Sequence, residues 1–153
     1  MEKGINSYIL EKFAIEPKDV RSYSPLTLAY IGDGVYDLII RTMVVGQGNT
    51  RVNEMNRRTS EIVKAHAQSE LIGRLMPELT EEELAVYKRG RNAKSATVAK
   101  NATVVDYRRA TGLEALIGYL YLQDRTERMM ELILMGLAEN GKGEEDALRG
   151  VDD

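Results

Sequence analysis

The chain has no cysteine and only one histidine, His66, in 153 residues. The first absence excludes disulfide scaffolds, thiol catalysis and cysteine-ligated zinc or iron–sulfur centres. The second excludes a multi-histidine metal site and leaves a single imidazole able to act as a base. No apolar run approaches the roughly 20 residues of a membrane span. Met1–Asn6 lacks the basic start and long apolar core of a signal peptide, so the expectation is a cytoplasmic protein without membrane contact. Neither an internal repeat nor a period-two strand pattern is visible. The phosphate-cradling pattern G-x-G-x-x-G fails at Asp37, which argues against a dinucleotide loop. The remaining chemical groups are carboxylates, hydroxyls, lysines and tyrosines. Clustered Asp and Glu hold hard cations such as Mg²⁺, with Mn²⁺ as a substitute, and such ions promote phosphodiester hydrolysis.

Acid is missing locally as well. Between Leu84 and Val105 there is no Asp or Glu, while Lys88, Arg89, Arg91, Lys94 and Lys100 supply positive charge. Acids gather instead at Glu144, Glu145, Asp146, Asp152 and Asp153. A basic stretch on a chain of net charge −3 is either a contact for a polyanion or a solvated loop, and charge alone leaves both open.

With 43% hydrophobic and 29% charged residues the chain suits one domain, expected over residues 1–140 and followed by a disordered acidic tail over 141–153. The pattern is helical almost throughout, which gives an all-α fold. Ser24-Pro25 is an N-cap with proline at the first helical position. It launches a helix whose Leu28, Ile31, Val35, Leu38 and Ile39 form a core stripe. Gly46-Gln-Gly48-Asn is a break, and one long helix is expected from Thr50 to about Leu75, with Val52, Met55, Ile62, Val63 and Ile72 inward and Pro77 at its end. Thr80-Glu-Glu-Glu83 reads as a capping box opening a short helix into the basic loop. Another helix runs from about Asn101 to Leu122, and Asp124-Arg-Thr-Glu127 caps a last one.

Two acids stand out because they lie in apolar helices. Asp33 sits between glycines in Leu28-Ala-Tyr-Ile-Gly-Asp33-Gly-Val-Tyr-Asp37, and Glu114 is isolated in Thr111-Gly-Leu-Glu114-Ala-Leu-Ile-Gly118. A helix-interior glycine costs about 1 kcal/mol relative to alanine, and a buried unpaired carboxylate costs more. A shared metal ion accounts for both, with Gly32 and Gly34 leaving room for a large ligand beside Asp33. Asp37 pairs as well with Arg41 at i+4 as with a metal. His66 reads as a satisfied surface residue, and Tyr30, Tyr36, Tyr119 and Tyr121 as packing residues.

The segments YIGDGVYDLIIR and LEALIGYLYL, with Lys88-Arg-Gly-Arg-Asn-Ala-Lys94 between them, resemble the signature helices of the ribonuclease III endonuclease domain, and in particular its short Mini-III subclass. The likeness spans roughly residues 20–137. It implies the ribonuclease III fold as a dimeric helical bundle, and a Mg²⁺-dependent endonuclease cutting double-stranded RNA to leave 5′-phosphate ends. Asp33 and Glu114 would be the catalytic metal ligands, with Lys88, Arg89, Arg91, Asn92, Lys94 and Lys100 as RNA contacts. It further implies maturation of the large-subunit ribosomal RNA precursor, a large-subunit ribosomal protein as helper, and a catalytic domain working without a double-stranded-RNA-binding domain. Relatives in the wider family place a Glu four residues before the first acid and an Asp three before the second; here those positions are Ala29 and Thr111. That departure keeps a second reading open, a non-catalytic RNA-binding or ribosome-assembly protein with the same fold.

Overall fold

In the computed structural model, residues 3–94 and 103–138 are described. Lys100 and the acidic stretch 141–153 lie outside them. The described residues form seven α-helices: α1 Ile5–Lys12, α2 Pro25–Gly46, α3 Val52–Val63, α4 Ala65–Leu75, α5 Glu81–Asn92, α6 Val104–Leu122 and α7 Thr126–Ala138. No strand occurs among them.

Helix α6 is the axis of the fold. It buries residues on every side, from Ala110 through Leu120, and α2, α4, α5 and α7 pack around it. A helix apolar all round can persist only where neighbours cover each face. Helix α3 lies outside this ring, against α2 and α4.

The ends follow local chemistry. Ser24 Oγ accepts the Thr27 N–H at 3.2 Å, with Pro25 at the first helical position, and this fixes the start of α2. Its far end gives way to Gly48 at φ +115°, a backbone region natural to glycine. Thr80 and Glu83 form a reciprocal capping box on α5. The same Glu83, fully buried, accepts two 2.8 Å hydrogen bonds from the Arg128 guanidinium and so ties α5 to α7.

Three expectations are corrected. The long helix from Thr50 to Leu75 is two helices, because Lys64 adopts extended backbone at ψ 155° and the Gln68 side chain takes the freed Val63 carbonyl at 2.8 Å. The basic stretch is not a loop at first, since Lys88, Arg89, Arg91 and Asn92 belong to the last turns of α5 and, among its described residues, only Lys94 follows them. Finally, Leu38, Val52 and Tyr30 are not core: they are 55%, 65% and 82% exposed.

Candidate active site

Asp33 is on α2 and Glu114 on α6, and the crossing of these helices decides how close the carboxylates come. A Cβ on Gly32 would stand 1.7 Å from the Glu114 carbonyl oxygen, and one on Gly118 would stand 2.0 Å from the Leu28 carbonyl oxygen. Each glycine admits the backbone of the other helix. The missing side chain of Gly32 therefore serves helix contact and not access of a ligand to Asp33. Of the two glycines flanking Asp33, only Gly34 has open space where a Cβ would be.

This crossing brings Asp33 and Glu114 together. Asp33 is exposed and Glu114 half-buried. Burial pushes the Glu114 carboxyl up to about 8, and the charge of Asp33 and a hydrogen bond with it act in the same direction. Gln68 opposes them by donating Nε2 to Glu114 Oε2 at 3.1 Å. Among the described residues no lysine or arginine acts on Glu114. Two oxygen donors held together without a counter-charge, one of them driven to keep its proton, suit a hard divalent cation. No third acidic or histidine group joins them among the described residues.

The positions at which the resemblance expects two further carboxylates are buried. Ala29 is 7% exposed, and Thr111 donates its Oγ1 to the Tyr107 carbonyl at 3.0 Å. Thr111 nonetheless shares a cavity of about 170 Å³ with Glu114, Gln68, Tyr107 and Val63.

Gln68 escaped the sequence reading. It is 3% exposed, its Nε2 joins the Val63 carbonyl to Glu114, and its Oε1 has no hydrogen-bond partner among the described residues. Its sequence signal is its position, four residues before the buried Ile72 on the inward face of α4. A polar residue there needs a partner.

The other named residues divide. Asp37 meets Arg41 Nε at 2.6 Å, as the i+4 spacing suggests. His66 is exposed; its Nδ1 lies 2.9 Å from Asp106 Oδ2 and its Nε2 3.5 Å from Glu70 Oε2. That makes it the satisfied surface histidine expected. Lys88, Arg89, Asn92 and Lys94 are exposed and Arg91 is half-buried.

Residues 26–125 match the Ribonuclease III domain model, and that span contains both carboxylates. The chain belongs to the ribonuclease III family. It is 50% identical to the Mini-ribonuclease 3 of Clostridium tetani over 117 residues, covering 76% of this chain and 78% of that one. With the Mini-ribonuclease 3 of Thermoanaerobacter sp. it shares 45% identity over 133 residues, 87% of this chain and 94% of the relative. A crystal structure of a protein from Fusobacterium nucleatum superimposes with a TM-score of 0.72 at 35% identity, covering 83% of this chain and 98% of that chain. The all-α fold read from the sequence is thus the ribonuclease III fold.

Proposed function

We propose that this chain is a Mg²⁺-dependent endoribonuclease of the Mini-III kind, with Asp33 and Glu114 as its catalytic pair. Endoribonuclease activity follows from the family and its Mini-ribonuclease 3 relatives, as does divalent-metal dependence on double-stranded RNA. The observation that carries the site assignment is the pairing, across the α2–α6 crossing, of two carboxylates with no counter-charge among the described residues.

Asp33 and Glu114 would hold the ion, with Gln68 keeping Glu114 Oε2 in place. When bound, the ion polarises a phosphate oxygen and lowers the pKa of water for in-line attack. Exposed Asp33 faces solvent, where RNA arrives, and half-buried Glu114 anchors the site from the core side. With only these two carboxylates to hold it, such an ion would bind weakly in the absence of RNA.

Lys88, Arg89, Arg91, Asn92, Lys94 and Lys100 are proposed as RNA contacts, since double-stranded RNA is held chiefly through phosphates and 2′-hydroxyls. A homodimer is supported by an apolar surface cavity of about 590 Å³ lined by Ile5, Ile9, Val35, Leu38, Ile39 and Met130. The ribosomal RNA precursor as substrate, and a large-subunit ribosomal protein as helper, are carried by the Mini-III likeness alone.

The test is incubation of the purified chain with long double-stranded RNA in Mg²⁺ or in EDTA. Cleavage confined to Mg²⁺, with products bearing 5′-phosphate, is expected. Intact RNA in Mg²⁺, with binding retained, would favour the non-catalytic reading.

A further inference from the structure

A third cavity lies on the side of α6 turned away from Glu114. Along α6 the residues Tyr107, Thr111, Glu114 and Gly118 share one face, whereas Val105 and Arg109 lie roughly opposite at 100° per residue. There, between the end of α5 and the start of α6, is a space of about 390 Å³ lined by Met76, Tyr87, Arg91, Val105, Arg108 and Arg109.

Its charge is one-sided. Three guanidinium groups line it and no carboxylate does. Arg57, Arg58, Arg125 and Arg128 each meet a glutamate, but Arg91, Arg108 and Arg109 have no carboxylate partner among the described residues. The segment Leu84–Val105 contains no acid to neutralise them. Arg91 is held in place, and Arg109 lies close against α4. The Arg91 guanidinium lies over the Tyr87 ring at 5.6 Å from its centroid and donates Nε to Asn92 Oδ1 at 3.2 Å. Arg109 Nη2 occupies the space a side chain at position 73 would take, 2.5 Å from where a Cβ on Gly73 would stand. Like charges gathered around one cavity repel unless an anion joins them, and guanidinium forks match phosphate oxygens two at a time. Met76 and Val105 add apolar wall, which suits the sugar or base that accompanies a phosphate.

We propose that this pocket binds the phosphate of a nucleotide unit through Arg91, Arg108 and Arg109, at a site separate from the scissile phosphate. The unit belongs either to an RNA strand or to a free nucleotide, and the chemistry is the same. Arg91 is shared with the RNA contacts proposed above, so the RNA source rests on that reading and the free-nucleotide source does not.

The experiment uses the full chain in EDTA, where no cleavage interferes. One arm titrates adenosine 5′-monophosphate and adenosine by calorimetry. The other follows a labelled RNA duplex by anisotropy across a salt series. Wild type is compared with Arg108→Gln, with Arg108→Gln/Arg109→Gln, and with the double lysine variant, each checked for folding by circular dichroism. If a free nucleotide is the occupant, the monophosphate binds in preference to adenosine, and the double Gln variant weakens it about tenfold or more. If a strand is the occupant, the log–log salt slope for the duplex falls by about 1 per lost contact. In either arm lysine restores part of the loss. Should the double variant fail to fold, Arg108→Gln alone decides, because Arg108 is exposed. No preference for the monophosphate together with an unchanged duplex slope in Arg108→Gln overturns the proposal, whether or not the protein cuts RNA.

Discussion

Glu114 is pulled in two directions, since burial and Asp33 favour its protonated form while the proposed cation needs its charge. The sign follows from its raised position. Below about 4.5 the carboxyl is neutral in both folded and unfolded chains; between there and about 8 only the folded chain keeps the proton, so stability falls as pH rises through that window. In EDTA, Glu114→Gln is therefore expected to melt higher than wild type at pH 8 and equally at pH 4, by thermal denaturation at both. With Mg²⁺, the same variant and Asp33→Asn should each lose cleavage while retaining RNA binding; near-normal turnover in either would remove that residue from the proposed site. Gln68 belongs to this scale too. Gln68→Leu should weaken Mn²⁺ binding, read by calorimetry without RNA, by about 10-fold or more, in line with the loss of a residue supporting a metal ligand. Both acids were legible in sequence because an acid in an apolar helix is conspicuous. Gln68 was not, because its partner Glu114 lies 46 residues away and polar residues in helices are ordinary.

At the scale of elements, the glycines divide by what their missing side chains meet. Gly32→Ala would drive a methyl into a backbone oxygen that cannot retreat, so a loss beyond the usual 1–3 kcal/mol (roughly) of overpacking is expected. Gly46, at the end of α2 with open space beside it, should gain up to about 1 kcal/mol as alanine. Urea unfolding of the two variants checks both, and equal midpoints would refute the packing account. A second contact joins elements through His66 on α4 and Asp106 on α6. Hydrogen bonding to Asp106, and then the charge of Glu70, raises the imidazole above its ordinary 6.5. Its stabilising share is thus full below that value and lost as pH climbs through the raised one. His66→Ala should flatten that part of the pH–stability profile, measured by melting temperature from pH 6 to 8. Helix starts at Ser24 and Thr80 were readable because caps are local. The break at Lys64 was not, for Val63-Lys64-Ala65 contains neither glycine nor proline and the turn is held by Gln68.

For the whole molecule, apolar residues on α1, α2 and α7 have no covering element among the described residues. Pattern alone assigned Leu38 to the core, since periodicity reports that a residue is to be covered and not by which chain. Leu38→Lys is expected to leave the protomer folded, because the side chain is already exposed, and to convert the proposed dimer to monomer in light scattering. A folded wild type that is monomeric at micromolar concentration would contradict the dimer. The α2–α6 crossing has a further consequence, for motion. Backbone touches backbone at Gly32 and Gly118, so the two carboxylates ride on the part of the structure least able to open locally. Amide protons flanking these glycines should exchange only when the entire chain unfolds, as the slowest class in the molecule. Warming should then leave cleavage intact up to the unfolding transition and abolish it there, with no temperature range in which a folded protein has already lost the geometry of the proposed catalytic pair.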